Sequence, residues 1–363
     1  MKFITRGLER LNREKDVFHS EQDASLSRRL ARSYWLRTFR AGRWRALANY
    51  FMARLAINRG WTHIRSKPFF GSIEVTNACQ LRCPFCFTSP LHEKHYLPFE
   101  YYSTLLDRFG RYLIKVEFHK NGEPFLHPRI LDMIRISADM GIETSLSSNL
   151  NHLPNNSAEE VVRSGLFSIT ASIDGATQQT YSKYRAGGDF ATAFGNLKAL
   201  VAAKKKLYKF TPHLIWQFLV FRHNQHEMQQ ALRMARELDG NVMVRFAAGS
   251  VPGDPELEKE WKTTLPEFQE SLCSDHDICV WPWGGISMFS DGSCTLCARD
   301  MAYRKGGADA GALVSGLWDG EYYCQARHHI WTRTRRDAPR IPFGETHPCA
   351  GCDQVGKLNF VYF

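Results

Sequence analysis

From residue 72 to residue 246 the chain alternates between short β-branched apolar runs and longer amphipathic stretches. The runs at residues 72 to 76, 114 to 119, 142 to 148, 167 to 173, 213 to 221 and 241 to 246 carry strand patterns. Helical spacing fills most of the intervals, at residues 98 to 113, 128 to 140, 158 to 165, 190 to 207 and 225 to 238. Repeated βα units predict an α/β fold with a parallel sheet whose functional loops follow the C-terminal ends of the strands. Residues 1 to 66 read differently, as a helical extension in which Leu30, Tyr34, Phe39, Leu47, Phe51 and Leu55 recur at helix-like intervals. Lys204, Lys205 and Lys206 close a long helix and read as a solvated end. Beyond about residue 250 the βα rhythm stops, and Ile286 to Phe289 followed by Asp291-Gly292 predicts a hairpin.

Composition changes this picture in two places. The chain has 363 residues and a net charge of +10, but residues 1 to 70 hold 16 Lys/Arg against 5 Asp/Glu, so the rest is close to neutral. From Arg28 to Lys67 there are 11 basic residues and no acidic ones, interleaved with Tyr34, Trp35, Phe39, Trp44, Tyr50, Phe51 and Trp61. Three readings fit: a solvated basic face on an extension packed against the remainder, contact with an anionic membrane surface, or a grip on nucleic acid. The ten cysteines all lie in residues 79 to 86 or 273 to 352, largely in ligand-like groups, and no secretory or membrane-spanning segment is evident. The expected compartment is the reducing cytoplasm, with the inner face of the membrane as a peripheral site.

The chemistry concentrates at the strand ends. Cys79, Cys83 and Cys86 follow the first strand at spacing C-x3-C-x2-C, and three thiolates there can hold a [4Fe-4S] cluster with one iron left open. A zinc site with a distant fourth ligand, or three unrelated buried thiols, are the alternatives. Lys120-Asn121-Gly122-Glu123-Pro124 follows the second strand, where glycine admits a close backbone approach and Glu123 offers an acceptor. Ser147 and Asn149 end the third strand, and Ser172, Asp174 and Gly175 the fourth; each group is also ordinary turn chemistry. Arg185 can grip a carboxylate in a bidentate manner or form a surface ion pair. Gln217 and Arg245 lie on the fifth and sixth strands, with their face left open. A second group, Cys279, Cys297, Cys349 and Cys352, fits a closed cluster or a structural zinc. Cys273, Cys294 and Cys324 remain, as buried thiols or as a donor of a hydrogen atom.

The C-x3-C-x-φ-C stretch, with Phe85 at its aromatic position, resembles the signature of the radical S-adenosylmethionine (SAM) enzymes, and Asn121-Gly122-Glu123-Pro124 resembles their GGEP motif with Asn121 in place of the first glycine. The run from Ser172 to Gly188 is similar to that family's members with SPASM or twitch extensions. The resemblance covers residues 70 to 357 and implies a partial (β/α)6 TIM-like barrel over residues 69 to 250, a basic helical extension over 1 to 68, and a cysteine-rich twitch/SPASM-like domain over 251 to 363. It implies a [4Fe-4S] cluster on Cys79, Cys83 and Cys86 and SAM held by Phe85, Asn121, Gly122, Glu123, Ser147, Asn149, Ser172 and Arg185. It also implies an auxiliary [4Fe-4S] cluster on Cys279, Cys297, Cys349 and Cys352 and a reducing partner such as flavodoxin or ferredoxin. The implied chemistry is cleavage of SAM to a 5′-deoxyadenosyl radical that abstracts a substrate hydrogen, for dehydrogenation or epimerisation of a carbohydrate-like small molecule. A ribosomally made peptide, an RNA, and a non-catalytic metal-binding or membrane-surface role are the alternatives.

Overall fold

The computed structural model describes residues 38–86, 93–238, 241–268, 279–297, 316 and 318–333. In chain order the elements used below are α1 (Trp44–Arg59), β1 (Phe70–Ile73), α2 (Phe99–Phe109), β2 (Lys115–Phe118), α3 (Ile130–Asp139), β3 (Glu143–Ser148), α4 (Ala158–Arg163), β4 (Ser168–Ser172), α5 (Gln178–Tyr184), α6 (Phe190–Lys206), β5 (His213–Val220), α7 (Met228–Arg236), β6 (Val242–Ala248), α8 (Pro255–Trp261), α9 (Trp281–Gly284), β7 (Gly285–Met288), β8 (Cys294–Thr295) and α10 (Glu321–Arg333). All six expected strands form, and the first five expected helices appear as α2, α3, α4, α6 and α7. The described residues fall into two compact units, one within residues 79–86 and 146–268, the other within residues 38–78, 93–145, 279–297 and 316–333.

In the first unit β4, β5 and β6 are parallel neighbours. Strict alternation in His213-Leu-Ile-Trp-Gln-Phe-Leu-Val220 buries Leu214, Trp216, Phe218 and Val220 and leaves the other face partly open. On that open face Ser172, the last residue of β4, stands in register with Gln217 and Arg245 within β5 and β6. Helices α4, α5 and α6 start on side-chain caps: Ser157 accepts from the Glu160 amide, Thr177 from that of Thr180, and Asp189 from that of Thr192. Lys204 departs from the expected solvated end, because it is buried and burial lowers its ammonium pKa.

In the second unit β1 is flanked by β2 and β7, parallel to both, and β8 pairs antiparallel with β7. The expected hairpin is present: Asp291 Oδ1 accepts from the Ser293 amide at 2.9 Å, and Gly292 takes φ +81°. Of the expected extension, the residues from 38 onward are described and contain α1. Ala46 and Ala53 pack against Phe69, Phe70 and Ile114; of the periodic apolar residues, Leu47 is buried, whereas Phe39, Phe51 and Leu55 are exposed. Small residues allow the α1 backbone to approach closely, and Asn49 fixes its rotation by exchanging two hydrogen bonds with the backbone of Lys67. Residues 1–37, Cys273, Cys349 and Cys352 lie outside the described residues.

Candidate functional site

The C-terminal end of β1 runs into the three-cysteine stretch. None of the three is in a disulfide. The Cys79 sulfur faces the amide of Leu81 at 3.4 Å and Nδ2 of Asn149 at 3.8 Å. Asn149 in turn receives Gln80 Nε2 on its Oδ1 at 3.1 Å, so the residue ending β3 holds the loop by its side chain. The Cys83 sulfur lies 3.9 Å from Arg185 Nη1. Burial pushes the Cys83 thiol pKa up, and the Arg185 charge opposes that. Phe85 packs edge-on to Trp261 and beside Tyr184, in an apolar group that includes Leu81 and Phe221.

Arg185 is neither on the surface nor open on all sides. Its Nε donates to Asp174 Oδ2 at 2.6 Å, and Asp174 is fully buried. Asp174 also accepts from the Leu219 amide at 2.6 Å, so the end of β4 is tied to β5 through one carboxylate. Burial raises the Asp174 pKa and Arg185 pulls it back; burial likewise opposes the Arg185 charge, which Asp174 and Cys83 more than restore. The guanidinium that Asp174 holds points at a thiol. Ser172 lies one row from this pair, and beside it Arg245 donates to Gln217 Oε1. These two residues belong on the same face as Ser172, which strand alternation alone left open. The partners Gln80 and Asp174 carry the loop's geometry; Gln80 had no signal beyond lying inside the cysteine motif.

In the other unit, Gly122 at φ +72° brings the loop after β2 against the backbone just before Cys79. A Cβ there would sit 2.2 Å from the Thr76 carbonyl oxygen and 2.8 Å from that of Ala78, so only glycine fits. The Glu123 amide donates to the Ala78 carbonyl at 2.8 Å. The Glu123 carboxylate is buried and accepts from the Phe125 amide at 3.1 Å, with the capacity of a carboxylate to accept further bonds. Asn121 turns its amide to the buried Glu74 at 2.6 Å, and Glu74 also accepts from Ser290 Oγ at 2.7 Å. The residue that replaces the family glycine thus braces β1 and the hairpin turn with its side chain. Ser147 lies partly buried on β3 and Ser172 buried on β4.

Among the described residues no three His, Cys, Asp or Glu side chains converge on a single ion position. N–H and guanidinium donors lie near the Cys79 and Cys83 sulfurs and suit thiolate ligands, so the residues present fit a [4Fe-4S] cluster.

The radical SAM superfamily model matches residues 73–235. Over those residues the chain is similar to the radical SAM superfamily. This family uses a [4Fe-4S] cluster and SAM, and the known proteins similar to the chain include enzymes. Among these relatives, the tungsten-containing aldehyde ferredoxin oxidoreductase cofactor-modifying protein of Pyrococcus furiosus is 25% identical over 179 residues, 47% of this chain and 49% of that protein. The GTP 3′,8-cyclase of Chlorobaculum tepidum is 26% identical over 177 residues, 48% of this chain and 51% of that protein. The 7,8-dihydro-6-hydroxymethylpterin dimethyltransferase of Methanocaldococcus jannaschii is 27% identical over 214 residues, 56% of this chain and 41% of that protein. The chain spans about half the length of these curated relatives. The radical SAM fold also recurs in Streptococcus suis SuiB bound to S-adenosylmethionine, at TM-score 0.55 and 14% identity over 72% of this chain and 68% of that one. It recurs in anSMEcpe with bound AdoMet, at TM-score 0.51 and 14% identity over 74% of this chain and 84% of that one.

Of the second cysteine group, Cys279 is buried beside α9 and Cys297 is half-buried beyond β8, while Cys349 and Cys352 lie outside the described residues. Cys294 is fully buried on β8, and burial, aided by Asp291 against Lys120, pushes its thiol up to about 12. Cys324 lies 3.6 Å from His63 Nδ1.

Proposed function

We propose that this chain is a radical SAM enzyme of the SPASM/twitch type, acting on a small polar molecule. The observation that carries the reading is the Cys79, Cys83 and Cys86 loop, whose sulfurs face the Leu81 amide, Asn149 and the Asp174-held Arg185. Once bound, the cluster and SAM supply a radical that takes a hydrogen atom from an unactivated carbon. The chain's own part is to hold and orient. Asn149 and Arg185 stabilise thiolates on Cys79 and Cys83, and Glu123 offers a carboxylate to the SAM amino group beside the tight Gly122 turn. Ser147 and Ser172 add small hydrogen-bonding groups for SAM, and the Gln217 and Arg245 row takes substrate hydroxyl or carboxylate groups.

The curated relatives are named for GTP, a pterin and a tungsten cofactor, which favours a small molecule. A carbohydrate-like polyol, dehydrogenated or epimerised, is the substrate class we assign; it rests on the resemblance to twitch enzymes. A peptide is the second reading, favoured by the SuiB structure bound to precursor peptide SuiA. Flavodoxin or ferredoxin would supply the electron. Cys279, Cys297, Cys349 and Cys352 would hold an auxiliary [4Fe-4S] cluster, so a C349A/C352A variant should carry about four irons per chain where the native protein carries about eight.

The test is anaerobic incubation of the reconstituted protein with dithionite, SAM and deuterated cyclitols, amino sugars or peptides. Deuterium in 5′-deoxyadenosine from a sugar supports the assigned class, and transfer from peptides alone replaces it with the second reading. No 5′-deoxyadenosine from a cluster-replete protein with any of these substrates contradicts the function proposed.

A further inference from the structure

Helix α1 carries large apolar side chains on both of its faces. Its inward face is made of Ala46, Leu47, Asn49, Ala53, Ala56 and Ile57. Four further large apolar side chains point outward: Trp44 is 58% exposed, Phe51 63%, Met52 46% and Leu55 44%. Trp44, Ala48, Phe51 and Leu55 recur at the i, i+4, i+7, i+11 positions of one helical stripe, with Met52 beside it. Arg45, Arg54 and Arg59 flank the stripe and are exposed. Phe39 and Trp61, at either end of the helix, are exposed as well. Of the ten exposed large apolar side chains among the described residues, six therefore lie between residues 39 and 61. A solvated basic face explains the arginines but leaves these six without a reason to face water.

We infer that the outward face of α1 docks in the plane of an anionic lipid bilayer. Charge complementarity names the occupant: the stretch from Arg28 to Lys67 has no acidic residue, so every charged side chain around the stripe favours a negatively charged surface. The apolar content selects lipid over nucleic acid. Met52 and Leu55 cannot stack on bases, but they do enter the boundary between headgroups and acyl chains, with Trp44 at headgroup level. The helix is about 24 Å long and lies flat on such a surface. No described helix is long and apolar enough to cross a membrane, so this contact is with the surface. The inner face packs on Phe69 and Phe70, and Arg43 donates to the carbonyls of Gly110 and Leu113 at 2.6 and 2.7 Å. The docking face is thus rigidly attached to the unit that carries β1 and Glu123. The inference does not depend on the radical chemistry proposed above.

The experiment is vesicle co-sedimentation of the full chain, with phosphatidylcholine vesicles and with phosphatidylcholine mixed with phosphatidylglycerol. Two variants accompany the native chain: W44S/M52S/L55S, which removes apolar surface, and R45E/R54E, which reverses charge. All substituted side chains face solvent, so unfolding temperatures should match the native value. We expect the native chain to sediment with anionic vesicles. The apolar variant should lose roughly 100-fold in partitioning, and the charge variant should lose its preference for anionic over neutral lipid. No sedimentation of the native chain with anionic vesicles overturns the inference, as does equal binding by the apolar variant. Retention of single-stranded RNA without vesicle binding assigns the face to nucleic acid instead. A dimer that W44S/M52S/L55S dissociates, again without vesicle binding, assigns it to a second copy of this chain.

Discussion

Cys83 and Cys294 are both buried thiols whose pKa burial pushes up, and they differ in the charge beside them. Cys83 sits 3.9 Å from a guanidinium that a buried carboxylate holds in place. Cys294 lies on β8 with Asp291 as the nearer charge influence, and its thiol is pushed up to about 12. Beside Cys83 a cation pulls the pKa back down, whereas beside Cys294 a carboxylate adds to the effect of burial. Burial alone does not separate the two cases; the neighbouring charge does.

The sharpest break of this comparison is C83A beside C294A. C83A should abolish SAM cleavage and lose the site's iron, read by iron analysis and 5′-deoxyadenosine assay; equal iron loss in C294A would erase the distinction. Next in size is R185Q, which leaves the Asp174 carboxylate buried without its guanidinium and should cost about 3–5 kcal/mol in urea unfolding. A D174N/R185Q double variant should recover part of that loss, because the asparagine side-chain carbonyl can still accept from the Leu219 amide. G122A comes third: a Cβ 2.2 Å from the Thr76 carbonyl, at φ +72°, should cost about 1–3 kcal/mol and weaken SAM binding measured by calorimetry.

A smaller effect is acid sensitivity in the unit of the cysteine loop. Burial, with Lys183 adding to it, lowers His223 to about 4, below an unfolded value near 6.5. Between those values the unfolded chain binds more protons, so stability is full above pH 6.5 and falls as pH drops towards 4. Allowing for solvent screening of a half-buried ring, the loss is about 1–2 kcal/mol, and H223Q should flatten it in a pH series of denaturant midpoints. Smallest is the stability cost of C294A itself, about 1 kcal/mol for the methyl-sized void it leaves.

Most of the sheet was legible because β5 and its neighbours alternate strictly and turn signals separate the units. Helix α5 was not marked as a helix, since Gln178-Gln-Thr-Tyr-Ser-Lys-Tyr184 is short and polar; it forms because Thr177 caps it and Tyr181 and Tyr184 are buried. The pairing of β7 with β1 was hidden for a different reason, as parallel neighbours more than 200 residues apart leave no local trace. Periodicity leaves the orientation of α1 open, because large apolar residues occur on both faces and the buried one is picked out by Ala46, Ala53 and Ala56 beside Leu47 and Ile57. At the site, motif spacing was enough to single out the cysteine loop, Gly122 and Asn149. The partners that fix them, Asp174 to Arg185 and Glu74 to Asn121, depend on contacts across strands that spacing does not encode.

The most direct test of the central claim is electron paramagnetic resonance of the anaerobically reduced protein, with and without SAM, for the native chain and a C79A/C83A/C86A variant. The account predicts a [4Fe-4S] signal that SAM perturbs in the native chain and that the variant lacks, while any signal from the auxiliary cluster persists. A SAM-perturbed cluster in the variant, or a native cluster on these cysteines that SAM leaves unchanged, would contradict it.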